Sequence, residues 1–207
     1  MMMQKKKLFI IGRFQPLHYG HLKTYRIFKE RGFDVEFIPY IIERYNDENY
    51  PFVEDEVREY FDNSGVKYKI IRVKRSPFTL IEVLVEAAKY AEDTGCETYF
   101  IVPKSRRFWQ TIFLYIFSKG KAKFFIYEEA LPLKAGELRN KYYNNEREWI
   151  KHVPRYVSEV IKKKRREIIK RVRDRRGYEF YDLKIPYSES IERIKNMFLS
   201  VEKHLFS

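Results

Sequence analysis

The sequence predicts an α/β protein whose core is a doubly wound, five-stranded parallel sheet, followed by a C-terminal helical extension. Short runs of apolar and β-branched residues alternate with longer stretches whose apolar residues recur at helical spacing. Glycines follow several of the helical stretches, as is typical of helix C-termini. Because parallel neighbours need helical crossovers, and these crossovers cover both faces of a sheet, the alternation favours the doubly wound arrangement.

The expected strands and helices alternate along the N-terminal part of the chain. We predict strands at residues 7–11, 34–41, 66–73, 97–102 and 122–127. Between them we predict helices at residues 19–31, 51–63, 77–92 and 105–119. In the last of these helices, Trp109 and the apolar residues at helical spacing from it are expected in the core rather than in a stacking platform for a ligand.

The pattern changes after the fifth predicted strand. We expect helices at residues 135–145, 156–173 and 188–205, and a short edge strand at 178–183. The second of these helices has a dense Lys/Arg face. We therefore predict two parts, an α/β domain (1–150) and a basic helical extension packed on it (151–207).

Composition narrows the class of protein. With 207 residues, of which 44% are hydrophobic, the chain has enough apolar material for one core, which excludes disorder throughout. The single cysteine, Cys96, excludes an intrachain disulfide. No apolar run approaches the roughly 20 residues of a membrane span, so we expect a cytoplasmic protein without membrane association. The net charge of +13 favours anionic partners such as nucleotides or nucleic acid.

The loop after the first predicted strand, GRFQPLHYGH, contains several residues of the types that bind phosphate groups. His18 and His21 are three residues apart at the start of a helix, so both imidazoles can project from one side of its first turn. The unpaired amides and the dipole of that helix end attract anions. Gly12 allows a tight turn, and Gly20 lets a phosphate approach the backbone. The Arg13 guanidinium adds a positive charge that can donate two hydrogen bonds to one phosphate. The loop therefore predicts a polyphosphate cradle suited to nucleotidyl transfer, which depends on positioning and electrostatics.

This loop resembles the HxGH signature of the nucleotidylyltransferase superfamily. In the form GRFQPxHxGH it is similar to nicotinamide mononucleotide (NMN) adenylyltransferases, especially those of the archaeal type. In pantetheine-phosphate adenylyltransferases and cytidylyltransferases, a GTFD-like run usually stands before HxGH. The GRFQ run of this sequence differs from it and so points away from those two families. The resemblance implies a Rossmann-like nucleotidylyltransferase fold. It also implies that the catalytic residues are His18, His21 and Arg13, and that the nucleotide-binding residues of this loop are Gly12, Phe14, Gln15 and Gly20.

Two later segments extend the resemblance. Residues 49–58 are similar to the NPFTxGER stretch of the family, and residues 134–139, KAGELR, are similar to its second phosphate motif, SGTxIR or SSTxIR. A Trp and a Val-Pro pair follow at the family spacing. Lys134 and Gly136 stand where the family has Ser and Thr, whereas Arg139 matches the motif arginine. The resemblance implies that these three residues hold the β- and γ-phosphates of ATP.

The resemblance implies an adenylyltransferase of NAD biosynthesis. Such an enzyme moves AMP from Mg-ATP to a phosphorylated acceptor, here NMN first among the candidates, and yields NAD and pyrophosphate. ATP and Mg²⁺ are the implied cofactors, and because Mg²⁺ binds mainly through substrate phosphates, we predict no metal-ligating side chains. The family also has an NRHxxW-like stretch that helps to hold the nicotinamide nucleotide. It has no clear equivalent between Ile70 and Trp109, so the acceptor stays open.

Several alternatives remain open. His18 and His21 could be zinc ligands, although further ligands would have to come from His152, His204 or Cys96. The basic run of the second C-terminal helix suits a solvated face. It also suits a catalytically impaired nucleotide-binding homologue that binds nucleic acid or protein through this helix. Small nucleotides are the favoured partners, nucleic acid is a less favoured one, and self-association is open.

A second basic cluster follows the fourth predicted strand. Lys104, Arg106 and Arg107 open the next helix there, at the edge of the sheet where doubly wound proteins bind ligands. They are either ligands of a substrate phosphate or simply a charged helix start.

Overall fold

The computed structural model describes residues 5–44, 46–47, 49–104, 107–127, 135–144 and 147–174. The strand predicted at 178–183 and the helix predicted at 188–205 lie outside these ranges, as does Lys134.

Five parallel strands form one sheet. They are β1 (Lys6–Gly12), β2 (Asp34–Ile42), β3 (Ile71–Val73), β4 (Glu97–Pro103) and β5 (Lys123–Tyr127). Their order across the sheet is β3-β2-β1-β4-β5, and every neighbouring pair is parallel. The predicted fold class, a doubly wound α/β sheet, is confirmed.

Helices connect the strands and continue beyond the sheet. They are α1 (Tyr19–Glu30), α2 (Glu54–Asp62), α3 (Thr79–Asp93), α4 (Arg107–Phe117), α5 (Ala135–Tyr143), a 3₁₀ helix (Arg147–His152), α6 (Arg155–Lys163) and α7 (Arg165–Asp174). Right-handed crossovers place α1 and α2 on one face of the sheet and α3 and α4 on the other. In agreement, α3 packs against α4, whereas α6 packs against α2. Within the described ranges, no helix combines the length and the apolar content needed to cross a bilayer.

Two predicted elements differ from the structure. The strand predicted at 66–73 is reduced to the three residues of β3, because the preceding segment meets β2 only through an isolated bridge between Tyr68 and Phe37. The helix predicted at 156–173 is two helices, α6 and α7, which are separated at Lys164. The backbone there leaves the helical conformation (φ −101°, ψ 9°).

The sheet changes direction at β1. Strands β2 and β3 lie on one side of it, and β4 and β5 lie on the other. Ile10 is in register with Ile101, so β1 and β4 end side by side, at Gly12 and Pro103. Doubly wound sheets bind ligands in the crevice beyond the strand ends at such a switch point. The loop before α1 and the first turn of α4 are therefore the elements that flank the expected site.

The described part of the C-terminal extension shares the core of the sheet. Val157 and Ile161 of α6 and Ile168 of α7 belong to the same buried cluster as Leu8 of β1. Burial of these side chains ties both helices to the α/β core by the hydrophobic effect. The boundary predicted at residue 150 stays a prediction.

Some of the basic side chains in the extension make internal contacts. Arg171 lies 2.6 Å from both carboxylate oxygens of Glu56, which is 1% exposed. The Arg165 guanidinium lies over the Tyr142 ring, 5.6 Å from its centroid. Because a buried carboxylate needs a charged partner, Arg171 stabilises the packing of α7 on α2. Part of the basic run thus serves the fold instead of forming a solvated face.

The outer side of α4 departs from the prediction. Phe113 and Leu114 are buried, but Trp109 is 52% exposed and Phe108 is 63% exposed. The prediction that Trp109 lies in the core is therefore wrong. Helical spacing identifies the face of a helix correctly, but the first turn of α4 follows the end of β4, where the sheet offers no further surface to pack against.

Candidate active site

His18 and His21 form a stacked pair at the N-terminus of α1. Nδ1 of His18 accepts a hydrogen bond from the Gly20 amide at 3.1 Å, and Nδ1 of His21 accepts one from the His18 amide at 3.3 Å. The two ring centroids are 3.6 Å apart, and the ring planes differ by 27°. The expectation that both imidazoles project from one side of the first turn is confirmed. Their reciprocal capping holds them in fixed orientations.

Burial keeps both imidazoles neutral near pH 7. Burial, assisted by the charge of His152, lowers the pKa of His18 to about 4. Burial, assisted by the charge of His18, lowers the pKa of His21 well below its ordinary value. A neutral imidazole has one protonated nitrogen, and Nδ1 accepts a hydrogen bond in both rings, so Nε2 carries the proton. The pair therefore presents two neutral Nε2–H donors side by side.

The low pKa of His18 makes the fold sensitive to acid. Its ordinary pKa is 6.5, so below that pH the unfolded chain takes up a proton that the folded chain takes up only near pH 4. We expect the free energy of unfolding to fall between pH 6.5 and 4, with a contribution from His18 of about 3 kcal/mol. Urea unfolding at several pH values would measure this. His18→Asn should reduce the slope across that window, and an unchanged slope would contradict the assignment.

The prediction of unpaired amides at this helix end is wrong for four residues, His18, Gly20, His21 and Leu22. The amides of His18 and Gly20 donate to imidazole nitrogens, and those of His21 and Leu22 donate to the His18 carbonyl at 3.0 and 3.3 Å. The Gly20 amide itself donates to the His18 ring, and the predicted role of Gly20, which is to let a phosphate approach the backbone, stays a prediction. The physical reason is that His18 acts as the helix cap and occupies the donors that a ligand would otherwise meet. An anion here would meet imidazole N–H groups instead.

Phe14 and Gln15 are buried in the loop that leads to the histidines. The Phe14 ring is 3% exposed, and its edge-to-face contact with His21 has a centroid distance of 4.7 Å. The Gln15 side chain is 1% exposed, and its Oε1 accepts a hydrogen bond from the Phe52 amide. The structure therefore gives these two predicted nucleotide ligands a supporting position, in which their side chains contact protein groups.

Gly12 packs closely against the Phe14 ring. A Cβ at Gly12 would lie 3.1 Å from Cζ of Phe14, so the ring would have to move by a few tenths of an ångström to admit a side chain there. Phe14 itself has a positive φ of 48°, so the chain folds back and brings its ring over the end of β1. This arrangement replaces the predicted tight turn at Gly12.

Arg139 joins the two predicted phosphate motifs. Its guanidinium is 5% exposed and donates to the Gln15 carbonyl at 2.9 Å and to Oδ1 of Asn49 at 3.2 Å. Burial and the nearby charge of Arg13 lower the pKa of Arg139. The Arg13 guanidinium in turn lies over the Tyr50 ring, 5.2 Å from its centroid. Two arginines held near each other at the same loop repel, and a bound polyanion would relieve that repulsion.

The rest of the second motif is less constrained. Gly136 lies in the first turn of α5, and a Cβ there would be 3.8 Å from an Arg139 nitrogen, an ordinary contact distance. Packing therefore does not require glycine where the family has a hydroxyl residue. Lys134 lies outside the described residues, and its role stays a prediction.

Sequence reasoning missed three residues that shape the site. The Tyr60 hydroxyl donates to the Phe14 carbonyl and anchors the loop to α2. Asn49 binds Arg139, and its place in the NPFTxGER-like stretch was an available signal. His152 precedes the Val-Pro pair and influences the pKa of His18, which sequence spacing could not reveal. In the described part of the chain, no three His, Cys, Asp or Glu side chains converge as metal ligands.

Comparison with solved structures places this site in a known fold. The bifunctional NMN adenylyltransferase/ADP ribose pyrophosphatase of Francisella tularensis matches 96% of this chain at 16% identity, with a TM-score of 0.60. A second structure of that protein, complexed with AMP and a manganese ion, matches the same share at 15% identity, with a TM-score of 0.56. The chain shares its fold with these proteins.

A shorter protein gives a similar result. A Vibrio parahaemolyticus protein assigned as a nicotinate-nucleotide adenylyltransferase matches 76% of this chain and 99% of its own, at 16% identity and a TM-score of 0.50. This chain spans only 56% and 57% of the two Francisella structures. No family model and no curated protein matches the sequence.

Proposed function

We propose that this protein is a nucleotidylyltransferase of the archaeal HxGH type, which transfers AMP from ATP to a phosphorylated acceptor, NMN first among the candidates. The observation that carries the proposal is the stacked, neutral His18–His21 pair, with Arg139 bonded to the same loop at the switch point of the sheet. The shared fold with NMN adenylyltransferases supports it. In this proposal the protein contributes to NAD biosynthesis in the cytoplasm and acts on small nucleotides.

The reaction needs positioning and charge stabilisation, not a covalent nucleophile. A phosphate oxygen of the acceptor attacks the α-phosphorus of ATP, the bond from that phosphorus to the bridging oxygen breaks, and pyrophosphate leaves. Negative charge grows on the transferring phosphoryl group and on the leaving oxygen. The Nε2–H groups of His18 and His21 would donate to those oxygens, where preorganised donors stabilise a transition state most strongly.

The arginines and the metal have separate tasks. Arg13 and Arg139 would bind the β- and γ-phosphates, because a guanidinium matches the geometry of phosphate oxygens. Mg²⁺ would bind through the triphosphate and neutralise part of its charge, which requires few protein ligands. This assignment agrees with the groups at the site, which are the guanidiniums of Arg13 and Arg139 and the neutral imidazoles of His18 and His21.

Incubation with Mg-ATP and a panel of acceptors tests the proposal. The panel is NMN, nicotinate mononucleotide and 4′-phosphopantetheine, with pyrophosphate and the coupled product both measured. We expect pyrophosphate in equal amount to a dinucleotide with one of the two pyridine nucleotides. Release of ADP and phosphate, or no pyrophosphate with any acceptor, would contradict it. Salt-sensitive binding of RNA or DNA without pyrophosphate release would favour the impaired homologue instead.

A further inference from the structure

Residues 49–53, which lie between β2 and α2, connect several parts of the candidate active site. Each residue of this segment contacts the side chain of a different residue. In order along the segment, the contacting residues are Arg139, Arg13, Arg171, Gln15 and Glu56. The first two are the cations that the proposed function assigns to polyphosphate. The position of the segment therefore helps to determine where both of those guanidinium groups lie.

One of the five contacts comes from the C-terminal extension. Nη2 of Arg171, in α7, lies 2.6 Å from both carboxylate oxygens of Glu56 and 3.5 Å from the Pro51 carbonyl oxygen. Oε2 of Glu56 in turn accepts a hydrogen bond from the Val53 amide at 3.0 Å. Arg171 therefore fixes the carboxylate that holds the end of segment 49–53.

Burial makes this arrangement depend on the ion pair. Glu56 is 1% exposed, so water does not replace Arg171 as the partner of its carboxylate. A buried carboxylate without a partner is costly, and such a side chain takes up a proton or turns toward solvent. Either change weakens the hydrogen bond from the Val53 amide, because a charged acceptor binds more strongly than a neutral one. Loss of Arg171 therefore releases the end of the segment.

The histidine pair depends less on this segment. His18 and His21 cap α1 through hydrogen bonds within its own first turn. The guanidiniums of Arg13 and Arg139, in contrast, contact Tyr50 and Asn49 of the segment directly. A displaced segment should therefore disturb polyphosphate binding more than it disturbs the imidazole donors.

We propose that Arg171 is a positioning residue of the active site, which acts through Glu56 to hold residues 49–53 where Arg13 and Arg139 meet a polyphosphate. The C-terminal extension then contributes to nucleotide binding as well as to the fold. This inference deepens the proposed function and rests on the phosphate binding assigned there. It predicts an effect on the triphosphate part of ATP and none on the acceptor.

The geometry of the ion pair predicts which substitution is tolerated. The contacts of Arg171 with Glu56 and Pro51 all use the single nitrogen Nη2. Its Nε is buried and has no hydrogen-bond partner in the described part of the chain. A lysine ammonium is a compact donor with three protons, so it can replace that one nitrogen. We therefore expect Arg171→Lys to retain the function of the pair and Arg171→Met to lose it.

Calorimetric titration with inorganic triphosphate tests the proposal without requiring turnover. Lys170→Met is the matched control, because Lys170 is an exposed cation of the same helix and the substitution removes the same charge. Arg171→Met should weaken triphosphate binding about tenfold, the scale of coupling through a network of contacts. Arg171→Lys and Lys170→Met should bind about as tightly as the unaltered protein. In turnover assays, Arg171→Met should raise KM for ATP and leave kcat and KM for the acceptor unchanged.

Urea unfolding of the same variants separates positioning from stability. If Arg171→Met unfolds at a lower urea concentration but binds triphosphate normally, the ion pair is only structural and the proposal is overturned. Equal losses of affinity in Arg171→Met and Lys170→Met would also overturn it, since they would reflect net charge alone.

A double variant keeps the test open if Arg171→Met does not fold. Glu56→Gln combined with Arg171→Met leaves no buried charge unpaired, so the fold should be retained. The amide lacks a cation to fix it, and triphosphate binding should again be about tenfold weaker. Normal binding by this double variant would overturn the proposal.

The outcomes also separate this inference from the proposed function. Triphosphate binding that depends on Arg171, without pyrophosphate release in the acceptor panel, overturns the proposed function and supports the positioning role. Pyrophosphate release with a KM for ATP that is the same in the unaltered protein and in Arg171→Met supports the function and overturns this inference alone.

Discussion

Replacing either His18 or His21 with asparagine is expected to lower kcat for pyrophosphate release by about 10²–10³, the cost of removing one transition-state donor. Asparagine has an acceptor oxygen that can take the place of Nδ1, so it retains the cap contacts with the Gly20 and His18 amides. It lacks a donor at the position of Nε2. Initial rates with saturating ATP and acceptor measure the effect.

The controls separate chemistry from folding. His18→Ala removes the cap as well as the donor and should lower the free energy of unfolding by a further ~1 kcal/mol relative to His18→Asn. The double asparagine variant should lose less than the product of the single losses, because groups that act together are not additive. Near-normal turnover of a folded double variant would contradict the catalytic assignment.

Replacing Arg139 with methionine is expected to weaken both the fold and the use of ATP. The substitution leaves the Gln15 carbonyl and the Asn49 side chain without their donor, in a buried position. Loss of hydrogen bonds from a charged group should lower the free energy of unfolding by about 1–3 kcal/mol. If the guanidinium also holds polyphosphate, kcat/KM for ATP should fall by about 10–100-fold, since each such bond is worth a similar amount.

Two further variants serve as comparisons for Arg139→Met. Arg139→Lys keeps the positive charge but lacks the planar guanidinium. Its free energy of unfolding should therefore lie between those of Arg139→Met and the unaltered protein. Arg155→Ala removes an exposed arginine paired with Glu159 and should change stability by less than about 1 kcal/mol. If Arg139→Met is destabilised but keeps normal kcat/KM for ATP, Arg139 is structural and the second motif does not bind phosphate.

The fold was largely predictable because it depends on local periodicity. The local pattern of apolar residues predicted most strands and helices one by one. The alternation of strands and helices along the chain then allowed only a few sheet topologies. Gly32 and Gly95 follow helices with φ values of +83° and +62°, where glycine is favoured. The length of β3 was not predictable, because it depends on how many of its residues pair with β2 in three dimensions.

The site was predictable in its residues but not in their interactions. The spacing of His18 and His21 indicated a shared side of the helix, yet which ring nitrogen caps which amide is settled only in three dimensions. The contact of Arg139 with Gln15 joins residues 124 positions apart. The family resemblance assigned each residue to a nucleotide-binding motif, but it did not indicate this contact. Trp109 shows the converse: the helical face was predicted, but the end of the sheet that exposes the ring cannot be read from spacing.

The decisive measurement is a crystal structure with a non-hydrolysable ATP analogue, in which the bridge between the α- and β-phosphates resists cleavage. We expect Nε2 of His18 and of His21 to lie within about 3 Å of oxygens on or next to the α-phosphate. We also expect the terminal phosphates to contact Arg13 or Arg139. An analogue bound elsewhere on the protein, or histidine rings turned so that Nδ1 faces the phosphate, would contradict the proposed function.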